Sequence, residues 1–445
     1  MNIDQSGVLA PVINPDQCTR CGICVKACPG FDFDYEHFNR RIHGGLPEDV
    51  ALGHCLDSYS GYSKDEEIAR ISQSGGFVST FLINGIEKRL FDGAVVTRYK
   101  QNDPFSPQVY IARHRSEVLE AAGSKYCPVP VNRIIPDLIK EKGMFAFVGT
   151  SCQVQGMRKA EEVFPELKRK VIVYLGLHCL SICNDHFHSQ LLHKVNLKRE
   201  NIAYFRLRDK AWRGWPGDMR MILKNGTLVD LSGALSRLSA RSYFSYWRCQ
   251  LCFDKLNEFS DISCGDCRIP EHNGEKTLSD VYCRYPGRSD IIIRTERGRS
   301  LFSKIIQKDN FIFQESNPQR LAASSRVAEK KLGVNIFVAF AMIFGISYPR
   351  YGVKFKRGAG GFDLIDIVLM PYSILVSSHY WLCHRFNRYK FFRSILSLLP
   401  HKFLGALAQA RERYIFHVRH GQDSILKLEL KTQKNTDRGL SKECS

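Results

Sequence analysis

The stretch KGMFAFVGTSCQVQGMRKAEEVF, residues 142–164, joins an apolar run from Met144 to Val148 to a helical pattern through Gly149 and Thr150. A short apolar run closed by glycine reads as a buried strand, and apolar residues recurring three or four apart read as a helix. Cys152 therefore falls at a strand-to-helix junction, where helix-terminal amides favour a thiolate. A second such place is KVIVYLGLHCLSIC, residues 170–183, with a strand from Val171 to Leu177, Cys179 near its end and Cys183 one helical turn further. The stretch from residue 69 repeats the theme, with Ser74-Gly75-Gly76 opening a helix before a strand from Ala94 to Tyr99. Asn225-Gly226 centres a β-hairpin, and SDIIIRTERGRSLFSKII reads as strand, turn and helix. The expected fold is α+β, with a mixed α/β core.

The cysteines carry the chemistry. In PDQCTRCGICVKACPG, residues 15–30, Cys18, Cys21, Cys24 and Cys28 are followed by Pro29. This C-x2-C-x2-C-x3-C-P run is the bacterial arrangement for 4Fe-4S clusters, in which the fourth thiolate can reach a different cluster. Structural zinc is the alternative, and it more often uses two separated pairs. Cys249 and Cys252 form one C-x2-C pair, and Cys264 and Cys267 form another, which taken alone also suits a zinc ribbon. Cys152 and Cys179 need a companion pair to make four ligands. Joined with Cys249 and Cys252 they do so, and the N-terminal four bring the thiols to eight, enough for two clusters.

Small residues opening a helix let backbone amides approach a phosphate. Ser74, Gly75 and Gly76, with Lys125 and Tyr126 of GSKYCPVPVN and the Gly149-Thr150 turn, make a candidate cofactor cradle.

The composition is that of a soluble globular protein, 44% hydrophobic and 24% charged over 445 residues. Sixteen cysteines in so long a chain, behind an N-terminus without a basic region and apolar run, predict reduced thiols in the cytoplasm. The net charge is +19, and from Lys331 onward eighteen Lys/Arg against seven Asp/Glu supply +11 of it. The excess sits mostly in the tail, so nucleic acid is not expected as a partner of the body. Residues 364–383 have the length to span a bilayer, but Asp366, Pro371 and His379 weaken that reading. From Leu382 an apolar series runs at helical spacing through Phe386, Tyr389, Phe392, Leu396 and Leu399, with Arg385 and Arg393 within its face. Such a face suits peripheral contact with the inner membrane surface, a helical cap, or docking of an acidic redox partner.

The motifs SQSGGFVSTFL, GSKYCPVPVN, FVGTSCQVQGMR, LGLHC, WRGWPG and CQLCFDKLNEFSDISCGDCR, in this order over residues 15 to 325, resemble the beta subunit family of coenzyme F420 hydrogenases and dehydrogenases. The resemblance implies an iron-sulfur flavoprotein that carries FAD and moves electrons between clusters and a deazaflavin or small-molecule substrate. Reduced ferredoxin, deazaflavin or another redox donor would then be its partner. It implies core-cluster ligands Cys152, Cys179, Cys249 and Cys252, an added N-terminal ferredoxin-like module, and Ser74, Gly75, Gly76, Lys125 and Asp266 near the flavin. Family association extends to cell-surface polysaccharide biosynthesis.

Three departures are visible. A second four-cysteine run is missing, leaving Cys55 as a candidate replacement ligand; Cys264 and Cys267 flank Gly-Asp where non-cysteines are usual; Ser151 stands where Pro is usual. The expected domains are residues 1–60 (ferredoxin-like module and loop), 61–325 (flavin and iron-sulfur core) and 326–445 (basic, mostly helical extension). No proton donor is nominated: His178 beside Cys179 reads as structural. The alternatives are an electron-transfer subunit without its own substrate, or a zinc-stabilised scaffold or nucleic-acid-binding protein.

Overall fold

The computed structural model describes residues 1–4, 7–210, 214–231, 244–267, 287–343, 345–357 and 426–430. An eight-stranded mixed sheet forms its centre. In chain order its strands are β1 (Asp57–Ser63), β2 (Gly93–Lys100), β3 (Asp103–Ala112), β4 (Phe145–Thr150), β5 (Val171–Leu177), β6 (Ile262–Asp266), β7 (Ser289–Ile293) and β8 (Phe311–Glu315). Their spatial order is β8-β1-β7-β6-β5-β4-β2-β3. The four middle strands β6, β5, β4 and β2 run parallel, and antiparallel pairs flank them on both sides. The expected strand Val171–Leu177 is found with those bounds, and the expected one ending at Val148 extends to Thr150.

Parallel strands are covered on both faces, which is why Phe145-Ala-Phe147 and Val171-Ile-Val173 read as continuous apolar runs. The pleat sends alternate residues to opposite layers. Phe145, Phe147 and Tyr174 join Val154, Met157 and Ala160 of helix Ser151–Val163 on one side. Ala146, Val173 and Leu175 join Phe77 and Phe81 of helix Phe77–Glu87, with Phe302 and Ile305 of helix Glu296–Ile305, on the other. A separate antiparallel sheet of Ile202–Asp209, Asp218–Leu223 and Leu228–Asp230 packs on helix Asp185–Lys194 around Phe187, Phe205 and Met221. Its tight turn is the expected Asn225-Gly226, with Gly226 at φ +84°.

The N-terminal cysteine run folds as a loop around a single helical turn, Ile23–Lys26, none of whose side chains is buried. It rests on helix Ser151–Val163: the Lys159 ammonium donates to the Cys28 carbonyl at 3.3 Å and the Asp32 carbonyl at 2.8 Å. β1 runs across residue 60, and helix Val327–Ile343, just beyond residue 325, reaches into the same core. Its Lys331 is fully buried, 2.7 Å from Glu258, with the rings of Tyr35, Phe253 and Phe355 around the ammonium. Tyr35 donates from its hydroxyl to the other Glu258 oxygen at 3.1 Å. Further on, Val353–Arg357 pairs with Leu426–Leu430.

Among the described residues no helix is long and apolar enough to cross a membrane. Residues 364–383 and the apolar series from Leu382 to Leu399 lie outside the described residues.

Removing one member of a buried ion pair leaves the other charge uncompensated, at about 3–5 kcal/mol. Lys331→Met is expected to lower stability by about that amount, read from urea unfolding. A negligible change in the urea midpoint would show that Glu258 does not depend on Lys331.

Candidate functional site

The carboxyl ends of the parallel strands gather the candidate ligands. The register aligns Thr150 with Leu177 and Leu177 with Cys264. Cys152 therefore lies two residues past the end of one strand and Cys179 two past the next, the edge where open α/β sheets bind their ligands. Thr150 caps helix Ser151–Val163 through a reciprocal capping box with Gln153, whose side-chain oxygen accepts from the Thr150 amide at 2.8 Å. That fixes Cys152 in the first turn, exposed, 3.6 Å from the Thr150 hydroxyl. Asn257, fully buried at φ +60°, ties two strand ends together by donating to the Gly149 carbonyl at 2.9 Å and the Leu177 carbonyl at 3.3 Å. Cys179 is held by its amide, which donates to the Lys255 carbonyl at 2.9 Å.

Cys249 and Cys252 sit on and after the helical turn Trp247–Leu251. Burial pushes both thiols above their ordinary range, and the sulfur of Cys152 adds to both shifts while Lys330 opposes them, so these three thiols share one electrostatic neighbourhood. Among the described residues no three His, Cys, Asp or Glu side chains yet surround one point as metal ligands. The donor set nevertheless fits an iron-sulfur cluster rather than a hard cation, since it consists of thiols alone.

The N-terminal run lies beside this group. Arg248, immediately before Cys249, presses its guanidinium on Gly30, where a Cβ would come within 2.4 Å of Cζ. Pro29, after Cys28, faces Gly156 of the helix that begins at Cys152. Cys264, by contrast, points into the apolar layer of β6, and burial pushes its thiol to about 12. Cys55 is half-buried, with its thiol 3.6 Å from the Asp57 carbonyl, against Leu52 and Leu256.

Ser74, Gly75 and Gly76 lie against β1 and β7, Asp266 ends β6, and the Gly149-Thr150 turn ends β4. Gly75 needs to lack a side chain because a Cβ would lie 2.2 Å from the Gly61 carbonyl oxygen and 2.6 Å from the Ser289 amide nitrogen. Gly76, at φ +85°, is the N-cap of helix Phe77–Glu87. Ser74 donates from its hydroxyl to the Arg288 carbonyl. Lys125 directs its ammonium to the carbonyls of Ala121, Ala122 and Gly123, which end a helix. Asp266, at the end of β6, accepts from Arg208 at 2.6 Å.

Two residues here were not among the sequence candidates. Arg208 donates to Asp266, to the Tyr126 hydroxyl at 3.2 Å and to the Pro216 carbonyl at 2.8 Å, and among the described residues its Nη2 has no partner although the side chain is nine-tenths buried. Lys210 donates to the Ala69 carbonyl at 2.6 Å and the Ser74 carbonyl at 2.7 Å. A buried guanidinium with one nitrogen unpartnered among the described residues, and the Lys210 amine beside a helix N-terminus, fit an anionic cofactor group. The signal was legible as alternation, because Arg206, Arg208 and Lys210 stand two apart where a strand runs out into the WRGWPG turn.

The model for the coenzyme F420 hydrogenase/dehydrogenase beta subunit N-terminus matches residues 58–136, that for its C-terminus matches 143–319, and a 4Fe-4S binding domain matches 9–30. The chain is similar to a coenzyme F420 hydrogenase subunit beta of Methanosarcina barkeri, 25% identical over 59% of this chain and 83% of the relative. It is 23% identical to a coenzyme F420-dependent sulfite reductase of Methanocaldococcus jannaschii over 78% of this chain and 56% of that one. It is also 23% identical to a chloroplastic 7-hydroxymethyl chlorophyll a reductase of Oryza sativa, over 65% and 61% of the two chains. A chain of the F420-reducing [NiFe] hydrogenase complex of Methanosarcina barkeri shares the fold, with a TM-score of 0.52 and 21% identity over 68% of this chain and 98% of its own length.

Burial pushes Lys125 and Lys210 down to about 7. Their folded values lie below the ordinary 10.5, so between about pH 7 and 10.5 the unfolded chain binds more protons and stability rises with pH. Lys210→Met is expected to flatten part of that rise, measured as urea midpoints at successive pH values across the window. A variant with the wild-type slope would show that Lys210 is charged in the folded protein.

Proposed function

Because the chain belongs to the coenzyme F420 hydrogenase/dehydrogenase beta subunit family and carries a 4Fe-4S binding domain, we propose that this oxidoreductase passes electrons between two 4Fe-4S clusters and FAD, and on to a deazaflavin or small-molecule substrate. The observation that carries the proposal is the adjacency of the two cysteine groups. Arg248 spans from Cys249 to Gly30, and helix Ser151–Val163 presents Cys152 at its start and supports Cys28 through Lys159.

Cys18, Cys21, Cys24 and Cys28 would hold the outer cluster, and Cys152, Cys179, Cys249 and Cys252 the core cluster. Ser74, Gly75, Gly76, Gly149, Thr150 and Asp266, joined by Arg208 and Lys210, would hold FAD, with Lys125 fixing the adjacent helix end. A bound flavin supplies the conversion between one-electron and two-electron chemistry. The chain's own part is to keep the thiols adjacent and to present the Arg208 and Lys210 donors to an anionic group. Lys330, which donates to the Cys249 carbonyl, places a cation beside the core thiols and would stabilise their added negative charge.

A second reading, an electron-transfer subunit that feeds a partner enzyme, is supported by the relatives that are hydrogenase subunits. The isolated chain would then reduce no substrate even with both clusters and flavin in place.

Anaerobic purification followed by iron, sulfide, zinc and flavin assays tests the proposal. The expected result is about eight irons per chain with matching sulfide, and one FAD. Cys24→Ser and Cys252→Ser should each leave about four irons. A colourless protein with stoichiometric zinc would overturn the redox reading.

A further inference from the structure

We propose that the exposed face of the N-terminal cysteine run is the docking site of an acidic one-electron carrier protein. This rests on the reading that the run holds a cluster, and it adds where that cluster meets its partner.

Cys18, Cys21 and Cys24 are all exposed. The apolar side chains around them turn outward rather than into a core: Val25 is 43% exposed and Phe31 47%, and Ile23 is exposed beside them. A cluster of outward apolar residues at a functional loop marks an interaction surface rather than a folding requirement.

Cations from three distant parts of the chain surround this patch. Arg20 and Lys26 belong to the run itself, and Arg248 comes from the core cysteine segment. Arg350 comes from beyond residue 319, where the family match ends. Its position is built in: the Phe33 amide donates to the Arg350 carbonyl at 2.8 Å, the Arg350 amide donates to the Phe31 carbonyl at 3.2 Å, and the guanidinium lies 4.7 Å from the centre of the Phe31 ring. All four cations are exposed.

The carboxylates nearby are mostly engaged. Asp32 is paired with Lys159, and Asp34 caps helix Tyr35–His43 by accepting from the His37 amide at 2.9 Å. Asp16 is the remaining acidic residue between residues 11 and 34. Among the described residues the four cations form no ion pair with a carboxylate, so a docking partner can reach them.

An apolar centre ringed by four exposed cations suits a negatively charged surface that associates by steering and separates quickly. A second copy of this chain would bring a net charge of +19 against the same field. The transfer itself makes and breaks no bond: the carrier loses one electron and the cluster gains it.

The test uses the full anaerobic chain with its clusters and a purified, reduced acidic ferredoxin, followed by stopped-flow absorbance. The wild-type second-order rate should fall steeply as salt rises. Arg350→Glu and Lys26→Glu should each cut the low-salt rate by about tenfold, with the difference closing at high salt, while dithionite still reduces their clusters fully. Phe31→Ala should slow transfer without changing the salt slope. Unchanged rates in both charge variants, or a salt-independent wild type, would overturn the docking site. So would an Arg350→Glu protein that loses binding to phosphatidylserine vesicles yet accepts electrons at the wild-type rate. A wild-type chain without iron would instead sink the cluster reading beneath it.

Discussion

The burial of Arg158 is the constraint on which the arrangement depends. Its side chain points from helix Ser151–Val163 into the interior, where Asp261 lies 3.3 Å away, Glu161 3.4 Å away, and the Phe259 carbonyl accepts at 3.0 Å. Tyr174 of β5 stacks its ring 4.0 Å from the guanidinium and donates from its hydroxyl to Glu161 at 2.8 Å, while the Tyr174 amide donates to Asp261 at 2.9 Å. A buried charge is tolerated only with its partners in good geometry. The helix therefore has one rotation and one height against β5 and the segment before β6. Cys152 at its first turn inherits that position.

A chain of buried polar groups extends the same logic toward the other thiols. Gln155, on the same helix, donates to Asp254 at 3.1 Å, and Asp254 accepts from the Glu258 amide at 3.0 Å. Glu258 faces Lys331, and Arg294 donates to the carbonyls of Leu52, His54 and Leu256. The loop that follows Cys252 is thus tied to the helix that follows Cys152 and to helix Val327–Ile343. These ties hold the segments that carry Cys152 and Cys252 in one arrangement, which a metal centre bound between them would require.

Much of the core was legible because strand and turn signals are local. The apolar runs at Val171–Leu177 and Phe145–Thr150, and the Asn225-Gly226 turn, follow from short-range pattern and backbone preference. The same holds for the N-terminal run, whose four thiols are close in sequence. The cradle was less legible. Gly75 looks like a phosphate-binding glycine in sequence, but its immediate need is the approach of Gly61 and Ser289, two strands that arrive from elsewhere in the chain. Lys125 looks like a free cation, whereas its ammonium ends a helix.

By itself, the sequence marked the candidates: eight thiols in two groupings, a glycine-rich helix start, and apolar runs that read as buried strands. Only the tertiary structure decided which of these meet. That Cys152 shares a neighbourhood with Cys249 and Cys252, that Arg208 pairs with Asp266, and that Arg350 stands at the rim of the N-terminal run are consequences of strand order and of buried charges seeking partners. Those contacts join residues far apart in the chain, and no periodicity within a short window encodes them.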